Sequence, residues 1–600
     1  MNKRLLLALI LGIWASFAKA QDQAAIAQAL YDRGEYQQAL FLYEDLIKDE
    51  QASAFLHEQY LQCLVKIPNL EEAFKYLRKR AKKGFPTESM VAECWIWSLQ
   101  EDGQQKEADL AQLLIDKSQG EYPRLMHLGA LFEQRNLDDW ALDCYQRAET
   151  QFGANPHLNQ RMAVLMMQGG RRSEALGRYV QLLANQNLSF TQLKPVFESH
   201  LSDSADMLML QNTLLEVIQD QPDNTELGDA LNWTFIKTQD WSRAFLFAKS
   251  MDLRLKEGGN RVYELGLLCQ SNSAYQEALR CFDYAVSAAQ SPDSKKRGLA
   301  QRNALLFWQY QQTGADSSQY HALSLSMMHL EHEYGPDEIT FVSSICWADL
   351  LMTQWGQTDR AIGLMERYSE LNAENLPPTL VAQAKIKAAD AWLLAGEIWT
   401  AELLLAKVEK ALKDEPMGQW AKYKRAELSF FRGDYEWADM QLNVLKDAST
   451  QLIANDAMEL SLLLKENLGI DSNYEAMALF SRAMLLERQR QFDSAFLAFD
   501  AIPKAFPGHS LSDDVLYHKA MIHHACGRDS LAIDCLETLI LAFGREVLAD
   551  KALLQLAQWY EYQQHNPQKA AECYRKLILE HSASLHIIEA RHAYRRLTGQ

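Results

Sequence analysis

The 600-residue chain is short of the features that most often announce an activity. It has no Gly-rich phosphate loop, no G-x-S-x-G elbow, no HExxH and no paired CxxC, which removes the common signatures of nucleotide, serine-hydrolase and zinc chemistry. Glycine (27) and proline (14) are sparse, as expected of a chain built from regular elements joined by short turns. Positive charge is also scarce. Sixty Lys and Arg face 79 Asp and Glu, a formal charge of −19, which argues against nucleic acid and against docking on anionic lipid. Long apolar runs are missing except at the start. Leu5 to Trp14 is apolar throughout but falls short of the ~20 residues a comfortable membrane span needs.

That run lies between Lys3-Arg4 and the small-residue pattern Ala18-Lys19-Ala20. Basic, apolar and small-residue zones in this order predict a secretory signal peptide over 1–20, cleaved after Ala20. No Cys lies beside the cleavage pattern to receive a lipid. The expectation is an exported protein with no integral membrane segment after signal removal. Losing Lys3, Arg4 and Lys19 takes the formal charge from −19 to −22.

What the chain has in abundance is one spacing. Gly34 to Leu46 reads Gly-x-Tyr-x-x-Ala-x-x-x-Tyr-x-x-Leu, and variants return about a dozen times at roughly 34–40 residues, the mark of a repeat array. Each unit reads as two amphipathic helices, with apolar residues at i, i+3, i+4 and i+7. A Gly or Asn ends the first helix, and the second carries an Ala followed four residues on by an aromatic or Leu. Such pairs include Ala39/Tyr43, Ala73/Leu77, Ala141/Tyr145, Ala175/Tyr179, Ala278/Phe282, Ala401/Leu405, Ala438/Leu442, Ala495/Phe499, Ala532/Leu536 and Ala570/Tyr574. Weaker units centre on Ala108, Ala244 and Ala361. Pro156, Pro222, Pro416 and Pro507 follow second helices and block their continuation.

The nine cysteines invite a disulfide reading in an oxidising compartment. Their spacing points elsewhere. Cys144, Cys281, Cys535 and Cys573 each stand three residues after a repeat Ala, so they share one slot in four different units, too far apart to bridge. Cys63, Cys94, Cys269, Cys346 and Cys526 are scattered. The expectation is mostly free, buried thiols acting as small apolar packing residues.

These units resemble tetratricopeptide repeats, most clearly at Val262–Val286 with Gly266, Tyr275, Ala278, Phe282 and Ala285. The resemblance implies an all-α, right-handed superhelical solenoid of antiparallel helix pairs. It divides the chain into an N-terminal array over 21–290, with a degenerate pair near 187–222, and a middle array of longer repeats over 291–446. A long connecting helix over 447–472 and a C-terminal array over 473–600 complete it. Within 291–338, Glu333 to Asp337 resembles the loop of the longer, kinesin-light-chain type of repeat. Residues 475–600 are similar to repeats of bacterial envelope proteins, including components of outer-membrane assembly and of the Tol–Pal division machinery.

No catalytic or metal site emerges. His518, His523 and His524 have the wrong spacing for joint ligation, with His523 expected in the slot of the repeat's Tyr, facing the core. His329 and His332 lack a third ligand. Asp513-Asp514 is explained as a helix start complementing the dipole. The inner face of the array is the candidate surface. Carrying the family register from each repeat Ala places Trp97, Trp233, Tyr263, Tyr423, Phe430, Tyr517 and Trp559 there, with Trp420 one turn before Tyr423. Aromatics on a concave wall offer apolar area at low entropic cost to a partner peptide or helix. The expected function is a non-catalytic, exported protein–protein scaffold with its partner along the groove. It would need no cofactor and would act in envelope assembly or secretion in a Gram-negative periplasm. The alternative is a glycan- or small-ligand-binding protein of the nutrient-uptake type, although the lipoprotein Cys and long Trp-bearing loops of such proteins are missing here.

Overall fold

A computed structural model describes residues 23–48, 50–67, 70–201, 203–372, 374–448, 451–468 and 474–599. The expected signal peptide lies outside these residues. Among them every regular element is a helix, and consecutive helices pack antiparallel as pairs. The chain forms two compact units, one ending at Leu255 and the other beginning at Lys256.

The pairing follows from side-chain size. Ala39, Ala73, Ala141, Ala175, Ala244, Ala278, Ala361, Ala401, Ala438, Ala495, Ala532 and Ala570 are all fully buried. A larger side chain in that slot would push the two helices apart. The unit centred in sequence on Ala108 is corrected by three residues, because Ala111 is the buried one and Ala108 is only half-buried. One turn beyond the Ala sits the large residue: Tyr43, Tyr145, Tyr179, Phe282, Phe499 and Tyr574 are at most 2% exposed. Burying such a side chain contributes about 1.5–3 kcal/mol.

In two pairs the first helix makes room for an aromatic ring with glycine. A methyl at Gly129 would lie 2.4 Å from the Tyr145 ring, and one at Gly266 would lie 2.7 Å from the Phe282 ring. Both spacings are sixteen residues, so the sequence register and the contact agree.

The turn inside each pair has its own rule. The residue five before the repeat Ala adopts positive φ in eleven pairs. Glycine fills it at Gly34, Gly170, Gly356, Gly396, Gly433 and Gly527; Asn136, Gln239, Ser273, Arg490 and His565 fill the rest with φ between 49° and 62°. Proline marks the next start. Pro156 and Pro416 are the first residues of the helices Pro156–Gln168 and Pro416–Phe431, where a missing N–H costs nothing.

The irregular stretches are also helical. Residues 187–222 hold Phe190–His200 and Ser204–Ile218. Residues 291–338 hold helices of 22 and 18 residues, Pro292–Thr313 and Ser317–Tyr334. The described part of 447–472 includes Gln451–Leu468, an additional helix that buries Ile453, Ala457, Leu460 and Leu464 against its neighbours; residues 469–473 lie outside the described set. Among the described residues no helix is long and apolar enough to cross a membrane. All nine cysteines are free thiols.

Candidate functional site: the charged inner wall of the second unit

In the second unit, a cavity of about 550 Å³ opens on the first helices of five successive pairs: Glu338–Thr353, Pro378–Leu394, Pro416–Phe431, Tyr474–Arg488 and Ser512–Ala525. Its apolar lining is Met352, Leu393, Leu394, Phe431, Met484, Phe492 and Met521. Its polar lining includes Asp349, Asp390, Lys424, Glu427, Glu487, Arg488, Arg490 and His518.

The charges form a ladder. Lys387 donates to Asp349 at 2.8 Å, Lys424 to Asp390 at 2.7 Å, and Arg488 to Glu427 at 2.5 Å. His518 Nδ1 meets Glu487 at 2.7 Å. Each acid belongs to one repeat and its base to a later one, so each rung ties adjacent first helices together. Lys387, Lys424 and His518 all stand fourteen residues before their repeat Ala (Ala401, Ala438 and Ala532). The Glu427–Arg488 rung reaches past the additional helix Gln451–Leu468, so the wall of first helices continues across it.

The wall is partly desolvated, and its titrations respond. Burial pushes the Asp349 carboxyl up, opposed by Lys387, whose ammonium is in turn held up by Asp349 against its own burial. Burial opposes a charge on His518, but Glu487 and Asp514 together hold its pKa above the usual range. Asp514, one turn before His518, is pushed up to about 8 by burial and then by Asp513, with Glu466 and Glu459 adding to it. The helix-start account of Asp513-Asp514 is therefore incomplete: both carboxyls are raised, with burial as the main cause.

None of the eight aromatics singled out in the sequence lines this cavity. Phe430 is corrected outright, being wholly buried between Phe431 and Tyr435 with ring centroids 5.8 Å from each. Its neighbour Phe431 is the one that reaches the cavity. Trp233 packs on Phe190 and Phe197, Trp559 lies against His524, and Tyr517 lies beneath Lys551; all three are buried. Trp97, stacked on Phe74 at 4.9 Å with Lys106 above it, is half-buried. Tyr263 lies half-buried between Phe282 and Arg297. Trp420 and Tyr423 stack on each other at 5.3 Å, also half-buried. These rings mainly join helix to helix.

The histidines resolve similarly. Ile522 takes the core position, and His523 is only half-buried, 4.5 Å from the Phe496 ring, with burial lowering its pKa. His329 pairs with Glu333 at 2.8 Å. No group of three or more His, Cys, Asp or Glu among the described residues is arranged to hold a metal ion.

Residues 551–584 match the family model of the tetratricopeptide repeat. This segment is the pair Ala549–Tyr562 and Pro567–Glu580 with its turn. The chain thus carries a tetratricopeptide repeat, and ten other helix pairs share its buried Ala and left-handed turn. No curated protein matches the chain. Among solved structures it is similar to a monomeric mutant of IFIT1 with Gppp-AAAA (12% identity over 80% of this chain and 86% of that one, TM-score 0.25). It is also similar to a tetratricopeptide repeat protein from Parabacteroides merdae (13%, 50% and 99%, TM-score 0.20) and to the P58(IPK) TPR domain (14%, 68% and 98%, TM-score 0.18). Likeness at this level says nothing of what this chain binds.

Proposed function

We propose that this chain is an exported, non-catalytic scaffold that holds a protein partner along the inner wall of its second unit. Repeats of this type suggest protein–protein interaction, and the cavity on five first helices is the observation that supports a location for it. Half-buried apolar side chains (Leu394, Met484, Met521) share this lining with the fixed charged rungs. That arrangement suits an extended segment or helix whose apolar residues enter between ion pairs that help set register. The setting, envelope assembly or secretion in a Gram-negative bacterium, rests on the leader-like N-terminus and the character of the last repeats. Photocrosslinking residues placed at Met484 and Met521 should capture a defined protein in intact cells, and one at Leu497, 75% exposed on a second helix, should not. Equal capture from all three positions would sink the assignment.

Small-ligand binding has one observation in its favour. A cavity of about 350 Å³ joins Tyr275 and Trp308, with ring centroids 4.3 Å apart, to Gln276, Gln309 and Gln312. An aromatic platform rimmed by amides is suited to a saccharide. Calorimetric titration of the purified chain with soluble glycans tests this second reading, and no heat with any of them removes it.

A further inference from the structure

The two cysteines of one hairpin meet. Cys269 lies on Asn260–Ser271 and Cys281 on Tyr275–Ala288. Both are 0% exposed, and the two side chains are in hydrogen-bonding contact. Three features bring them together. The connecting turn is tight, with Ala274 N–H bonded to the Cys269 carbonyl at 2.8 Å. Gly266, one turn before Cys269, lets the second helix come close: a methyl there would lie 3.0 Å from the Cys281 Cβ. The fully buried Ala278, twelve residues after Gly266, keeps the same narrow spacing on the other side. In an antiparallel hairpin the close approach of Gly266 to Cys281 places Cys281 against the stretch of the first helix that carries both Gly266 and, one turn on, Cys269.

We propose that Cys269 and Cys281 form an intrahairpin disulfide in the presence of a disulfide oxidant, leaving the other seven cysteines as thiols. The inference is independent of the groove. It corrects the expectation that Cys281 is only a packing residue, since spacing excludes bridges between units but not across one hairpin. Exchange proceeds in two displacements. The Cys269 thiolate attacks one sulfur of a small disulfide RSSR, breaking its S–S bond and expelling RS⁻. Cys281, deprotonated, then attacks the Cys269 sulfur of the mixed disulfide and expels the second RS⁻. Two protein thiols are oxidised, RSSR is reduced to two RSH, and the two protons end on those thiols. Either sulfur can make the first attack, since the contact that distinguishes the two thiols exists only in the closed hairpin. With both sulfurs closed off from solvent, exchange takes place before the hairpin closes or as it opens. Once closed, the hairpin shields the product from reductant.

The test uses the full chain, reduced and then refolded from urea with and without oxidised glutathione. Denatured thiol titration should fall from nine to seven per chain. Peptide mapping should find the segments carrying Cys269 and Cys281 joined, with the loss of two hydrogens. The oxidised wild type should melt higher than the reduced protein, and Cys269→Ala and Cys281→Ala should each lose that difference. Nine titratable thiols after oxidant, or a bridge mapped between other cysteines, overturns the proposal. Because mapping is done on the wild type, a variant that folds poorly does not rescue it.

Discussion

Lys424 donates to Asp390 at 2.7 Å across the boundary between two repeats, with only 12% of the lysine side chain exposed. A rung of this kind resists loss of one partner more than its modest net worth suggests, because the partner left behind is a partly buried charge. Lys424→Met should lower the stability of the folded chain by about 1–2 kcal/mol. Pairing it with Asp390→Asn should cost less than the sum of the two single changes. Urea unfolding of the four proteins in the cycle measures the coupling; strict additivity would show that the rung is structurally idle.

The glycine interlock gives a steric prediction. Gly129→Ala places a methyl 2.4 Å from the Tyr145 ring, and Gly266→Ala places one 2.7 Å from Phe282. Each should destabilise by about 1–3 kcal/mol through overpacking. Gly177→Ala, where the added methyl meets nothing within 4 Å, is the control and should be neutral or slightly stabilising. Thermal melts distinguish these outcomes directly.

Gln239 and Arg490 hold φ of 57° and 59° in a turn that six other pairs fill with glycine. Left-handed backbone costs a non-glycine residue about 1–2 kcal/mol, partly offset by the greater freedom glycine loses on folding. Gln239→Gly and Arg490→Gly should therefore each raise stability by up to about 1 kcal/mol, while Gly396→Ala should lower it by a similar amount. A fall in the melting temperature of both glycine variants would contradict the turn rule.

Asp514 and His518 provide a pH test. Both pKa values are raised on folding, so each group's contribution is fullest below its unfolded pKa and is lost as pH rises through the folded one. For Asp514 the loss runs from the usual carboxylate range to about 8. For His518 it begins near 6.5, the ordinary histidine value. Asp514→Asn should therefore stabilise the chain above about pH 8, with the gain shrinking towards pH 4. His518→Gln should be most harmful near pH 5 and least so near pH 9. Urea midpoints across this range check both signs, and a flat difference for either variant would refute its part.

Much of the fold was legible because each pair repeats the same local solution. A small residue at Ala278, a large one at Phe282 and a left-handed turn at Ser273 are all set by residues near in sequence, and a regular spacing exposes them. Where the marks blur, the register slips, as with Ala108 in place of the buried Ala111. The candidate site was much less legible. Aromatics drew the reading to Trp233, Phe430 and Trp559, yet a large ring is as useful between helices as on a wall, and packing claimed them. The signal for the ladder was present in the shared slot of Lys387, Lys424 and His518. It lay unread because a lone base on a helix looks solvated until the acid of the preceding repeat is placed beside it. Likewise, Cys269 looked isolated until the hairpin brought its side chain against that of Cys281.

The ladder also bears on how fast a partner arrives. Each cation in its rungs already faces a carboxylate, so the rungs project little net field into the solvent despite the chain's overall acidity. Without a field to steer encounter, capture depends on random collision and shape, with association nearer the unsteered range of about 10⁵–10⁶ M⁻¹s⁻¹. Ionic strength should then alter the lifetime of the bound state more than its rate of formation.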